Sequence, residues 1–152
     1  MNTQKLILNQ VDNNINILRK ANNLVVPQLG WIYSIRKALS MSLRQLGKRM
    51  SITPQSMKEI EEREKRGTVS INVLKQTANA LNMKFIYGFI PEHESLENMI
   101  QEKAYKIAKE IVLRTSINMK LEDQENSDIR IKNAIKEKTD EIVSKMPRYL
   151  WN

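Results

Sequence analysis

The 152-residue sequence predicts an all-α protein, and three observations carry that prediction. Apolar residues recur at three- and four-residue spacings through most of the chain, which is the repeat of one helix face rather than of a strand. Ser42, Thr53 and Ser70, residues that favour helix starts, each stand just before such a stretch. The one run with strand character, FIYGFIP over 85–91, is short and bounded by Pro.

Residues 1–25 are Asn-rich, with Leu6, Val11, Ile15 and Leu18 giving a weak helical repeat, and Pro27 and Gly30 then punctuate the chain. In GWIYSIRKAL, Trp31 or Ile32, Ile35 and Leu39 mark a helix of about ten residues, broken at Ser40-Met41. Ser42 with Gln45 three residues on is a capping-box signature, and Leu43, Leu46 and Met50 give the short helix behind it one apolar face. Ser51-Ile52 is a turn. Thr53 is a good N-cap, and Pro54 suits the first helical position, where a missing N–H costs nothing. Met57, Ile60 and Glu61 face inward in the helix that follows. Ser70 caps a further helix, with Ile71, Leu74, Ala78 and Leu81 on one side. Residues 85–91 read as a strand or an extended connector. From Ser95 a long helix carries Leu96, Ile100, Ala104, Ile107, Ile111 and Leu113 to about residue 120. A charged break, EDQENSD, spans 122–128. The last helix runs from about Asp128 through Ile131, Ile135 and Ile142 to Met146-Pro147.

Formal net charge is +8 and the pI about 9.7. Residues 1–91 hold 14 Lys/Arg against 5 Asp/Glu, whereas 92–152 hold 11 against 12. The basic half favours an anionic partner; the balanced half reads as solvated or protein-facing helix surface. No Cys and one His leave no disulfide framework and no multi-histidine metal centre. With no nucleophile–base set and only 4 Gly to build a phosphate-cradling loop, the expectation is a protein that is not an enzyme and takes no cofactor or metal. No apolar run nears the ~18 residues of a membrane span, and residues 1–20 lack a secretory h-region, so a cytoplasmic location is expected.

The apolar pattern of MSLRQLGKRMSITPQSMKEIEERE, residues 41–64, fits a plain helical hairpin as well as a device that reads DNA. The polar residues point to the second. Such a device braces one helix on the phosphate backbone and sends the N-terminal residues of the next into the major groove. The first helix offers Arg44, Gln45 and Lys48, and free N–H groups at its start, to phosphate. The second begins with Thr53, Gln55 and Ser56. Gln55 can pair with adenine, Ser56 with any base, and Thr53 can offer a hydroxyl to phosphate or a methyl to thymine. Lys58 lies one turn on. The DNA-contacting set is therefore Arg44, Gln45, Lys48, Thr53, Gln55, Ser56 and Lys58.

Residues 31–83 resemble the XRE/phage-repressor helix-turn-helix family, through RKALSMSLRQLGKRMSITPQSMKEIE and the closing SINVLKQTANALNM. That likeness implies a five-helix repressor-like domain. Two positions depart from the family pattern. Gly47 stands where Ala is usual, at a loss of roughly 1 kcal/mol of helix propensity. Ser51 stands where Gly is usual in the turn, and must accept whatever backbone angles the turn imposes, at a cost to Ser if φ is positive. Over about 28–152 the chain also resembles the mobile mystery protein A family, in GWIYSIRKALSMSLRQLGKRM, EKRGTVSINVLKQTANAL, FIYGFIPEHESLE, MKLEDQ and the terminal YLWN. Members of that family are similar to transcriptional regulators encoded beside a Fic-domain protein on mobile elements. The resemblance implies a DNA-binding, antitoxin-like partner of a Fic-type AMP-transferase in a toxin–antitoxin pair. The helix of small Fic inhibitors (Ser/Thr, three residues, Glu, then Gly/Asn) is absent, because no Glu here has Ser or Thr four residues before it.

Blander readings stand beside these. The charge run 58–66 reads as a solvated face, with Lys65 and Arg66 the only further phosphate candidates. Trp31, Tyr33, Phe85 and Tyr87 read as core or dimer contacts, and His93 as a surface histidine. Glu122 and Asp123 suit a helix end, with room for a partner role. The expected organisation is an N-terminal helical segment 1–27, a helix-turn-helix domain 28–91, and a helical dimerisation or partner-binding region 92–152. A homodimer would act as a repressor on a palindromic operator in double-stranded DNA. The alternative is an antitoxin that neutralises a partner protein directly through its C-terminal helices.

Overall fold

The computed structural model describes residues 3–116 and 124–152. All its regular structure is helical: α1 (Thr3–Leu18), α2 (Trp31–Ala38), α3 (Leu43–Arg49), α4 (Pro54–Arg66), α5 (Ile71–Ala80), α6 (Leu96–Ser116) and α7 (Gln124–Lys145), with single 3-10 turns at Arg19–Ala21 and Arg148–Trp151. No strand forms among the described residues; 85–91 is an irregular connector in which the Phe85 and Tyr87 rings stack at 5.8 Å. The chain divides into two compact units, Ala21–Gly88 and a discontinuous one made of 1–20 with 89–152.

In the central unit, α2 to α5 close over Ile32, Leu46, Met57, Ile60 and Leu81. Ile32 and Met57 point inward, as the apolar spacing predicts, whereas Trp31, Leu39 and Ile71 turn outward. Thr77 is buried in place of Ile71 and satisfies its hydroxyl on the Val73 carbonyl at 2.8 Å. Four α-helices lie here where the family likeness implied five, because Asn82, at φ 55, ends α5 and the chain runs on without helix.

All four helices end alike. A residue with positive φ follows each one, and the next N–H returns to the carbonyl five residues back: Met41 to Arg36, Ile52 to Gly47, Thr68 to Arg63 and Met83 to Ala78, at 2.8–2.9 Å. Only one of the four turning residues is Gly (Gly67); the others are Ser40, Ser51 and Asn82.

In the other unit, α6 and α7 pack over Ile100, Ala104, Ala108, Ile135 and Ile142, and Leu150 of the terminal turn is fully buried with them. The N-terminal helix belongs to this core, rather than standing as a segment of its own. Ile15 is buried and Leu8 packs on the cluster. The Asp12 carboxylate accepts from Leu96 N at 2.8 Å and from Glu97 N at 3.2 Å, so a side chain of α1 caps α6. The last helix begins at Gln124, four residues before the expected start, because Gln and Glu propagate a helix and a charged run need not break one. The expected end of α6 near residue 120, and Leu121, Glu122 and Asp123, lie outside the described residues.

Candidate nucleic-acid interface

The candidate site is built on α3, the turn and the start of α4. Ser42 and Gln45 form the full capping box: Ser42 Oγ accepts from Gln45 N at 3.0 Å and Gln45 Oε1 accepts from Ser42 N at 2.8 Å. This fixes the Gln45 side chain and leaves its amide NH2 as the free end. Arg44 and Lys48, four residues apart, share an exposed face of α3. At the start of α4, Thr53 Oγ1 accepts from Ser56 N at 3.1 Å and donates to Ser56 Oγ at 3.0 Å. The Thr53 hydroxyl is thus committed to its own helix, so of the two roles open to it the methyl contact remains. Ser56 keeps its own hydroxyl hydrogen to donate. The side chains of Arg44, Lys48, Gln55 and Lys58 are exposed and make no hydrogen bond or ion pair with any described residue. All seven positions expected from the sequence therefore fall on the solvent side of one α3–α4 pair.

Gly47 lets the two helices approach. A Cβ built there would stand 2.9 Å from the Ile52 carbonyl oxygen and 3.3 Å from that of Thr53. The absent side chain thus makes room for the turn, and the helix propensity it gives up is the cost of that close approach.

The pair is held from behind by buried and bridging charges, of which Glu61 and Glu64 belong to the run 58–66. Arg36 of α2 and Glu61 of α4 are both buried. The Arg36 Nε donates to Glu61 Oε1, Nη2 to Oε2 at 3.2 Å, and Nη1 to the Met41 carbonyl at 2.9 Å. The hydrogen bonds that Arg36 donates to Glu61 hold its pKa above its ordinary value against the opposing effect of burial. One turn along α4, Glu64 Oε1 accepts from Ile32 N at 2.8 Å at the start of α2. Gly30 precedes that start at φ 91, and any side chain there would meet the same carboxylate. Arg49 donates to the Ala80 carbonyl at 3.1 Å and ties α3 to the end of α5. The signal for the ion pair lay in the inward register of Glu61, whereas nothing in the sequence marks Arg36, 25 residues earlier, as its partner.

Elsewhere in the run, Arg66 and Arg63 lean on Glu59 at 3.2 and 4.0 Å. Trp31 and Tyr87 are exposed, and Tyr33 lies against Arg36 and Lys37. His93 is exposed. Among the described residues no three His, Cys, Asp or Glu side chains gather as a metal site, and no helix is long and apolar enough to cross a membrane. Comparison with protein families, with characterised proteins and with solved structures returned no match.

Proposed function

We propose that this chain is a sequence-specific, DNA-binding transcriptional regulator of the XRE type, with α2–α5 as its repressor-like helix-turn-helix domain. The observation that carries the reading is the tip of the α3–α4 pair. Arg44, Lys48, Gln55 and Lys58 stand exposed and unpaired on a backbone held by two side-chain caps. On this reading Arg44, Gln45, Lys48 and Lys58 donate to phosphates, Gln55 pairs with adenine, Ser56 donates to a base or phosphate oxygen, and the Thr53 methyl meets thymine. A homodimer would set two such tips about 34 Å apart on a palindromic operator. Autorepression, and an antitoxin-like pairing with a Fic-type toxin on a mobile element, follow from the family resemblance.

The test is a titration against DNA from upstream of the gene, at two salt concentrations, with wild type and Gln55→Ala/Ser56→Ala. Tight wild-type binding, and a loss in the variant of about 1–3 kcal/mol per base contact with an unchanged salt slope, supports the reading. Equal, weak binding of both proteins to any DNA overturns it. The second reading, direct neutralisation of a partner protein through the C-terminal helices, draws on the exposed Tyr105, Tyr149 and Trp151. Capture of the co-encoded protein by the full chain, lost on Trp151→Ala but kept in Gln55→Ala/Ser56→Ala, would favour it.

A further inference from the structure

Beside the α3–α4 tip lies a cleft of about 340 Å³ between α2 and α4, with Leu43, the first residue of α3, at one end. Its floor is electrically quiet, since the Arg36 charge is met by Glu61. Its rim is not. Lys37 of α2 and Lys58 and Lys65 of α4 all line the cleft, and none of the three is paired with a described carboxylate. Of the remaining lining residues, only Glu62 opposes them. The contrast along α4 is informative, because Arg63 and Arg66 are drawn to Glu59 while Lys58 and Lys65 are left facing solvent. The same helix therefore carries two cations that share one of its own carboxylates and two that have none, and the latter two gather at one concavity with a lysine from another helix. Lys58 belongs both to this rim and to the reading tip, so the two surfaces are continuous.

We propose that this cleft is a second anion-holding subsite, in which Lys37, Lys58 and Lys65 grip a phosphodiester of duplex DNA flanking the bases read by α4. The inference rests on the DNA-binding reading and extends its footprint onto α2. Three ammonium groups around a concavity, with no fork of donors aimed at a base, suit a point-charge contact to phosphate rather than base readout. Lys37 and Lys65 then contribute to affinity without regard to sequence, and Glu62 works against them.

The experiment uses the full chain with Lys37→Gln/Lys65→Gln, Glu62→Gln and, as a control outside the cleft, Lys75→Gln. Each is titrated by fluorescence anisotropy against the upstream duplex and a scrambled duplex of equal length, at 50 and 200 mM salt. Unchanged far-UV circular dichroism melts confirm that each variant is folded. A lost phosphate contact shrinks the affinity ratio between the two salts by about threefold. The double variant should therefore shrink it by roughly tenfold, equally on both duplexes. Glu62→Gln should tighten binding to both, and Lys75→Gln should match wild type. A double variant indistinguishable from Lys75→Gln, or a loss confined to one duplex, overturns the subsite while leaving the reading tip in place. Wild-type protein that binds neither duplex overturns both.

Discussion

Arg36 is the residue on which the geometry of the tip most depends. Its guanidinium and the Glu61 carboxylate have left water together, each with side-chain exposure of 7%. Removing one member strands the other charge in the core. Arg36→Met should therefore cost about 3–5 kcal/mol, whereas Arg36→Met/Glu61→Leu should recover most of that loss, since a buried pair exchanged for apolar residues of similar volume is often close to neutral. Urea denaturation of the single and double variants measures the difference. Gly47 gives a second residue-scale expectation, and here two effects compete. Gly47→Ala gains up to about 1 kcal/mol of helix propensity. The added methyl, at 2.9 Å from a backbone oxygen of the turn, brings overpacking of the kind that costs about 1–3 kcal/mol. The turn cannot swing aside as a flexible side chain could, so the variant should melt lower than wild type despite its better helix former.

At the scale of the element, the helix ends decide most. Ser51 sits at φ 58 between the two helices of the tip. A left-handed residue with a Cβ pays roughly 1–2 kcal/mol that Gly does not. Ser51→Gly should raise the melting temperature of the central unit by about 4–8 °C for each kcal/mol regained. Scanning calorimetry reads this directly, and a fall in melting temperature would show that the Ser51 conformation is unstrained. The caps were legible in the sequence because each signal and its partner lie within three residues: Ser42 with Gln45, Thr53 with Ser56, Ser70 with Val73. The exposure of Gln55 and Lys58 was legible for the same local reason, as the apolar period places Met57 and Ile60 inside. The clamp behind the tip was legible only in part. The apolar register turns Glu61 inward, but Arg36 meets it only after α2 has folded across α4, and nothing near Glu61 in the sequence names that partner. Glu64, reaching the start of α2 over 32 residues, was hidden in the same way.

On the scale of the whole molecule, the central unit and the α1–α6–α7 unit have separate cores. Variants in one should spare the other. Asp12→Ala removes the acceptor for two N–H groups at the head of α6, a cap worth about 0.5–2 kcal/mol. Calorimetry should show that loss in a transition that Arg36→Met leaves alone, and the reverse for Arg36→Met. A single transition displaced by both would mean that the units melt together. The membership of α1 was beyond sequence reasoning, because its apolar period is weak and its partner lies 84 residues away.

That separation has a consequence in time. During synthesis at about 5–20 residues per second, roughly 4–17 s pass between the appearance of Asp12 and that of Leu96. Throughout that interval Leu8 lacks the α6–α7 cluster on which it packs, while every residue of the central unit is made. The middle of the chain is free to fold before its beginning does. Chains ended at residue 95 and released should therefore be cut by protease within 3–18 yet resist cleavage across 31–80, and α1 should gain protection only in chains that include α6 and α7.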